Sequence, residues 1–239
     1  RFAVASGRSA DSCSRVLLKS GLADTPILAA NGCHIVDRPF GSTLESHFLQ
    51  KRTAADAIGL FSSLGLDHCL YTLDAIVWSS EETLKEHEEG FRNGSRMTLL
   101  FGADAMLRAA QTTPMKLFCM FGQEPGRREA FETAKRACLQ MEGVELTSSW
   151  HNNFELMPAG VNKGAAVRSL ARRLAVDRSE VMTFGDCDND LPMLLWAGHG
   201  VAMGNASENI RRSAAYVTGP NTDGGVAQGI YRWALGGCA

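Results

Sequence analysis

The chain has 239 residues, 45% hydrophobic and 21% charged, the mixture of a soluble globular protein with room for one large domain or two small ones. Its 24 basic and 26 acidic side chains leave a net charge of −2, which excludes the basic footprint of a nucleic-acid or acidic-lipid binder. No apolar run approaches the ~18 residues of a membrane span and no signal peptide opens the sequence, so a cytoplasmic protein without a membrane partner is expected.

The first forty residues read as strand, helix, strand. Phe2-Ala3-Val4-Ala5 is a short apolar run, Ser6-Gly7-Arg8 breaks it, and Ser9 is placed to cap a helix reaching about Leu22. Val16 and Leu17 supply apolar positions in that helix, and Gly21 sits near its end. A second buried strand over residues 26–30 stops at Asn31-Gly32, a strong turn dipeptide, beyond which Ile35-Val36 extends.

From about Gly41 to Trp150 the texture changes. Helices expected over residues 53–64 and 127–141 alternate with strand-like runs at 69–72 and 117–121, and residues 90–114 are poorly periodic. After His151 the alternation becomes regular. An apolar run at 154–157 leads through a Pro-Ala-Gly turn to Asn162 and a helix. Val167, Leu170, Ala171 and Leu174 there fall at i, i+3, i+4 and i+7, one buried face. Strands are expected at 181–184, ending in Gly185-Asp186, and at 200–203, ending in Gly204, with Ser207 and Thr222 capping the last two helices. This alternation predicts the α/β class, with a parallel sheet covered on both faces and binding loops at the strands' carboxyl ends.

Cys13, Cys33, Cys69, Cys119, Cys138, Cys187 and Cys238 are scattered and form no Cys-x-x-Cys, so free thiols in a reducing compartment are expected rather than disulfides or zinc. The sharpest local feature is Gly185-Asp186-Cys187-Asp188-Asn189-Asp190. Its carboxylates follow an apolar strand and repel one another unless a cation or solvent relieves them. An EF-hand fails, because Leu191 stands where that loop needs Gly and Ala197 where it needs Glu. A solvated acidic loop and a Mg²⁺ loop remain; the latter would offer one or two carboxylates to a hard ion that shares its shell with phosphate oxygens.

Lys163 is the second anchor. It lies in the first turn of the helix opened by Asn162, where the macrodipole disfavours a cation by roughly 0.3–1 kcal/mol. A surface lysine tolerates that cost, and a bound anion reverses it. Ser6-Gly7-Arg8 is the third: a hydroxyl, then a glycine, then a helix start make a small phosphate cradle at a strand's carboxyl end.

Together these residues resemble the Cof-type branch of the haloacid dehalogenase-like superfamily. Residues 2–8 are similar to its second motif, Asn162-Lys163-Gly164 to its third, and residues 185–190 to its fourth. Ala30-Asn31-Gly32 and the stretches 200–206 and 222–227 also match family patterns. The likeness covers about 1–40 and 151–239. It implies a Rossmann-like doubly wound parallel-sheet core in two parts, 1–40 and 151–239, with an inserted α/β cap at 41–150. It further implies that the Ser6 hydroxyl binds the phosphoryl group and that Lys163 neutralises it. Asp186 would ligate Mg²⁺, Asp190 would support the metal, and Gly7, Arg8, Asn31, Gly32 and Asn189 would contribute to phosphate or substrate binding. Trp78 in the cap could face the site, although core packing suits it better.

One motif of the family is missing. Asp-x-Asp-Gly-Thr, whose first aspartate attacks phosphorus, occurs nowhere in the 239 residues. Leu73-Asp74-Ala75 and Ala103-Asp104-Ala105 lack its partner acid and its turn. The expectation is that this strand and loop, on the order of 30 residues, lie upstream of Arg1, and that the chain as it stands is inactive. The expected protein is a Mg²⁺-dependent phosphatase of small phosphorylated metabolites (sugar phosphates or phosphorylated cofactors), a monomer or homodimer. The alternatives are a non-catalytic phosphate- and metal-binding relative, or a phosphomutase. Intact Ser6, Lys163, Asp186 and Asp190 favour the phosphatase.

Overall fold

In the computed structural model, which describes residues 1–87, 97–121, 126–149 and 152–236, the chain divides into two units, Arg1–Val161 and Asn162–Ala239. The fold is α/β. Among the described residues no helix is long and apolar enough to cross a membrane.

The first unit begins with β1 (Val4–Ala5), which runs parallel to β2 (Ile27–Ala29); β3 (His34–Val36) and β4 (Thr43–Ser46) add antiparallel strands to give the order β1-β2-β3-β4. Helix α1 (Ala10–Lys19) joins β1 to β2. Ser9 caps it, its Oγ accepting from the Ser12 N–H at 3.2 Å. The helix stops short of the expected Leu22. Gly21 adopts φ 74°, and the Leu22 N–H turns back to the Leu17 carbonyl at 2.9 Å, a left-handed C-cap. Its buried line runs through Cys13 and Leu17, whereas Val16 is 53% exposed.

A six-stranded mixed sheet follows. Helix α2 (Lys51–Ser63) precedes the antiparallel pair β5 (Asp67–Tyr71) and β6 (Ala75–Trp78). Then come α3 (Glu81–His87), β7 (Thr98–Phe101), α4 (Ala103–Ala110), β8 (Lys116–Met120), α5 (Arg127–Cys138), β9 (Val144–Thr147) and β10 (Asn153–Pro158), in the strand order β7-β6-β5-β8-β10-β9. The weakly periodic stretch 90–114 therefore holds β7 and α4, while its residues 90–96 lie outside the described ones.

Alternation gives this sheet two buried faces. Leu70, Leu117, Phe154 and Leu156 share a core with Ala57, Phe61, Met106 and Phe131 from the helices. Cys69, Tyr71, Trp78, Met120 and Met157 share another with Ala30 and Cys33. Trp78 is 2% exposed there; it is a core residue. Strand β10, from the segment after 151, belongs to this sheet because it pairs with β8 on one side and β9 on the other.

The second unit alternates α6 (Lys163–Arg173), β11 (Met182–Gly185), α7 (Leu191–Trp196), β12 (His199–Ala202), α8 (Glu208–Ser213), β13 (Tyr216–Val217) and α9 (Gly225–Gly229). Its three strands are all parallel, in the order β11-β12-β13. Ala166, Leu170 and Ala171 form the buried face of α6. Ser207 caps α8. Thr222 does not cap α9: it lies inside a 3₁₀ turn over Asn221–Asp223, and Gly224 at φ 71° stands at the helix start instead.

Candidate functional site

The acidic turn begins where β11 ends. A Cβ on Gly185 would come within 2.4 Å of the Asp190 Cβ, so only glycine lets the strand end lie against that carboxylate. Asp190 folds back over the turn. Its Oδ2 accepts from the backbone N–H groups of Asp186 at 3.0 Å and Cys187 at 3.1 Å. Its Oδ1 accepts from the Lys163 ammonium at 2.5 Å, and both side chains are buried, at 5% and 6% exposure. Lys163 is positioned by the Asn162 cap, whose Oδ1 accepts from the Ala165 N–H at 2.9 Å, and by close packing of α6 on α7. A Cβ on Gly164 would meet the Pro192 carbonyl oxygen at 2.5 Å.

Asp186 is half-buried, and its Oδ2 accepts from Asn205 Nδ2 at 2.7 Å. Asn205 is in turn held by the Asn221 N–H on its Oδ1 at 2.9 Å. Sequence reasoning did not single out Asn205; an amide three residues past the β12 strand end was the available signal. Asp188 points to solvent, whereas Asn189 is buried.

Oxygen and sulfur atoms of Asp186, Cys187 and Asp190 lie within 4.8 Å of one another. The donor chemistry fits a hard cation held through Asp186. The Cys187 thiol is pushed up to about 11, first by desolvation and then by the Asp186 and Asp190 charges, so it stays protonated and is a poor ligand for Mg²⁺. Both Asp190 oxygens are already hydrogen-bonded, which suits a supporting carboxylate rather than a direct ligand.

In the first unit, Ser6-Gly7-Arg8 leaves β1 and enters α1. The Ser6 N–H donates to the Leu28 carbonyl at 2.9 Å, and the Ser6 carbonyl accepts from the Asn31 N–H at 2.9 Å. Ser6 Oγ accepts from the Arg8 N–H at 3.2 Å. Asn31 adopts φ 57°, ψ 26° and is buried; its Nδ2 donates to Glu155 Oε2 at 2.9 Å. Gly32 follows at φ 101°. A cavity of ≈ 320 Å³ in the same unit is lined by Ser9, His34, Thr72 and Asp74 among others, and Ser6, Gly7, Arg8 and Asn31 are not among them.

Two residues of this neighbourhood escaped the sequence reading. Lys116 of β8 and Glu155 of β10, 2% and 1% exposed, form a buried ion pair. The Lys116 ammonium also donates to the Gly7 carbonyl at 2.7 Å and lies 4.5 Å from the centre of the Tyr71 ring. They share a face because Tyr71 stands opposite Lys116, and Glu155 opposite Phe118, in the antiparallel register. The available signal was a single charge inside each apolar run.

Comparison with known proteins adds an independent line. The profile of the haloacid dehalogenase-like hydrolases matches residues 1–230. The chain is 40% identical over 92 residues to the 5-amino-6-(5-phospho-D-ribitylamino)uracil phosphatase YcsE of Bacillus subtilis, a stretch that is 38% of this chain and 37% of that protein. It is 27% identical over 219 residues to the pyridoxal phosphate phosphatase YbhA of Escherichia coli, covering 87% of this chain and 77% of the relative. Among solved structures, a haloacid dehalogenase-like hydrolase from B. subtilis superposes with a TM-score of 0.82 at 24% identity, over 97% of this chain and 86% of that one. A sugar phosphatase of HAD subclass IIB gives 0.78 at 18% identity, over 98% and 86%. The structural likenesses carry the fold.

Proposed function

The chain belongs to the haloacid dehalogenase-like hydrolase family, and from that membership we propose that it serves a Mg²⁺-dependent phosphatase of small phosphorylated metabolites, sugar phosphates or phosphorylated cofactors. Relatives named for pyridoxal phosphate and for a phosphoribitylamino-uracil support this substrate class. Attack on phosphorus comes in this reading from an aspartate outside the 239 residues, since none of them forms Asp-x-Asp-Gly-Thr. Residues 41–150 act as the cap that excludes water and selects the leaving group.

The observation that carries the reading is the contact of the Lys163 ammonium with Asp190, whose other oxygen holds the Asp186 and Cys187 N–H groups. An ammonium has three donors, so holding Asp190 does not exhaust it. Lys163 neutralises the transferring phosphoryl oxygens, and Asp190 keeps Lys163 and Asp186 in fixed positions. In the first unit, the Ser6-Gly7-Arg8 turn at the start of α1 is suited to an anionic oxygen. A Mg²⁺ bound at Asp186 would supply Lewis-acid neutralisation of the same charge.

The test is hydrolysis of 4-nitrophenyl phosphate by a protein in which an Asp-x-Asp-Gly-Thr strand and loop precede Arg1. Hydrolysis should require Mg²⁺ and vanish in Asp186→Ala, while the 239 residues alone turn nothing over. Full activity in Asp186→Ala would refute the metal assignment.

A further inference from the structure

The mechanism above leaves the buried pair Lys116–Glu155 without a task. A buried ion pair is a weak source of stability, because desolvation of two charges cancels most of their attraction. Its placement points elsewhere. Glu155 Oε2 is a node that accepts from both Lys116 Nζ and Asn31 Nδ2. Each donor reaches on to the Ser6-Gly7-Arg8 loop: Lys116 to the Gly7 carbonyl at 2.7 Å, and the Asn31 backbone N–H to the Ser6 carbonyl at 2.9 Å. Two consecutive peptide units are thus held by their oxygens.

No peptide bond among the described residues is cis, and in a trans unit the N–H points opposite to the C=O. Fixing the Ser6 and Gly7 carbonyls against Asn31 and Lys116 therefore turns the Gly7 and Arg8 N–H groups the other way. One consequence is visible: the Arg8 N–H lies 3.2 Å from Ser6 Oγ, on the side of the hydroxyl. Successive N–H groups aimed to one side form an anion-binding concavity.

We propose that Lys116 and Glu155, with Asn31, are positioning residues that hold the Gly7 and Arg8 N–H groups oriented for a phosphate oxygen. This rests on the reading of Ser6-Gly7-Arg8 as a phosphate loop and adds what orients it. The charge is needed because Gly7 has no side chain and Arg8 is exposed, so within the loop the Gly7–Arg8 peptide plane is held through its N–H by the long 3.2 Å contact with Ser6 Oγ, and its oxygen is fixed from outside by Lys116.

The experiment is titration of the full chain with inorganic phosphate, followed by calorimetry and by the amide resonances of Gly7 and Arg8. In the parent protein phosphate should move both amides. The double variant Lys116→Met/Glu155→Leu removes both charges together, so neither is left buried alone. It should melt cooperatively, bind phosphate about tenfold more weakly, the worth of roughly one charge-assisted hydrogen bond, and lose the amide response. Where that variant does not fold, Asn31→Gly serves, because it keeps the left-handed backbone while releasing Glu155; it should weaken the Arg8 and Gly7 responses. Parent affinity and parent amide shifts in either folded variant overturn the proposal. Gly7 and Arg8 amides that ignore phosphate in the parent itself, or a Ser6→Ala protein that binds phosphate as the parent does, overturn the phosphate-loop reading and the proposal with it.

Discussion

Lys163 and Asp190, 27 positions apart in the chain, meet at 2.5 Å with both side chains buried. Such a pair is costly to break from one side, because the survivor is left as an uncompensated buried charge. Lys163→Met should lower the unfolding free energy by about 3–5 kcal/mol, read from urea denaturation. Lys163→Met/Asp190→Leu should recover much of that loss. A single variant as stable as the parent would mean that the pair is solvated.

Glycine substitutions separate close approach from simple flexibility. Gly164→Ala places a Cβ 2.5 Å from the Pro192 carbonyl oxygen, and Gly185→Ala places one 2.4 Å from the Asp190 Cβ. Each should cost about 1–3 kcal/mol by overpacking, and Gly185→Ala should also weaken phosphate and Mg²⁺ binding because it displaces Asp190. Gly59, on the exposed side of α2, would have nothing within 4 Å of an added Cβ. Gly59→Ala should therefore stabilise by about 0.5–1 kcal/mol. Thermal melts of the three variants side by side test the contrast, and a stabilising Gly164→Ala would contradict the packing of α6 on α7.

What could be read from the sequence was what is local in it. The acidic turn after β11 and the Asn162-Lys163-Gly164 helix start are contiguous strings, and their chemistry survives without knowledge of the fold. Lys116 and Glu155 are the opposite case. Each sits inside an apolar strand, 39 positions from the other, and they meet because β8 and β10 pair in one antiparallel register. A slip of one residue would send both side chains to the other face of the sheet. The C-terminal end of α1 and the start of α9 differ from the expectation for a related reason. Gly21 and Gly224 adopt left-handed conformations that set those boundaries, and the apolar periodicity does not report them.

The thiols make a third prediction. Burial pushes Cys33 and Cys138 up to about 12, and raises Cys69 and Cys119 further. The thiolate is the nucleophile, so at pH 8 these four side chains should resist iodoacetamide in the native protein and react once it is unfolded. Cys238 lies outside the described residues. Mass spectrometry of the labelled peptides gives the answer; rapid native labelling of Cys33 or Cys69 would show that the second core is open to solvent.

One buried and one half-buried imidazole should make stability fall in mild acid. Burial lowers both His34 and His68 below the usual imidazole range, outweighing the Leu66 carbonyl and Asp67 beside His68 and Asp74 near His34. His68 Nδ1 lies 2.7 Å from the Leu66 carbonyl, an acceptor, so that nitrogen carries the proton in the neutral ring. The unfolded chain takes up protons near ~6.5, before the folded one does. Between the two values the unfolded state binds more protons, and the unfolding free energy rises with pH. Stability is therefore complete above the unfolded value and declines as pH falls through that value towards the lowered folded ones. Urea midpoints between pH 7.5 and 5.5 should decrease, and His68→Asn, whose amide can still donate to Leu66, should flatten the decline. An unchanged slope in that variant would mean that His68 is protonated in the folded protein as readily as in the unfolded chain.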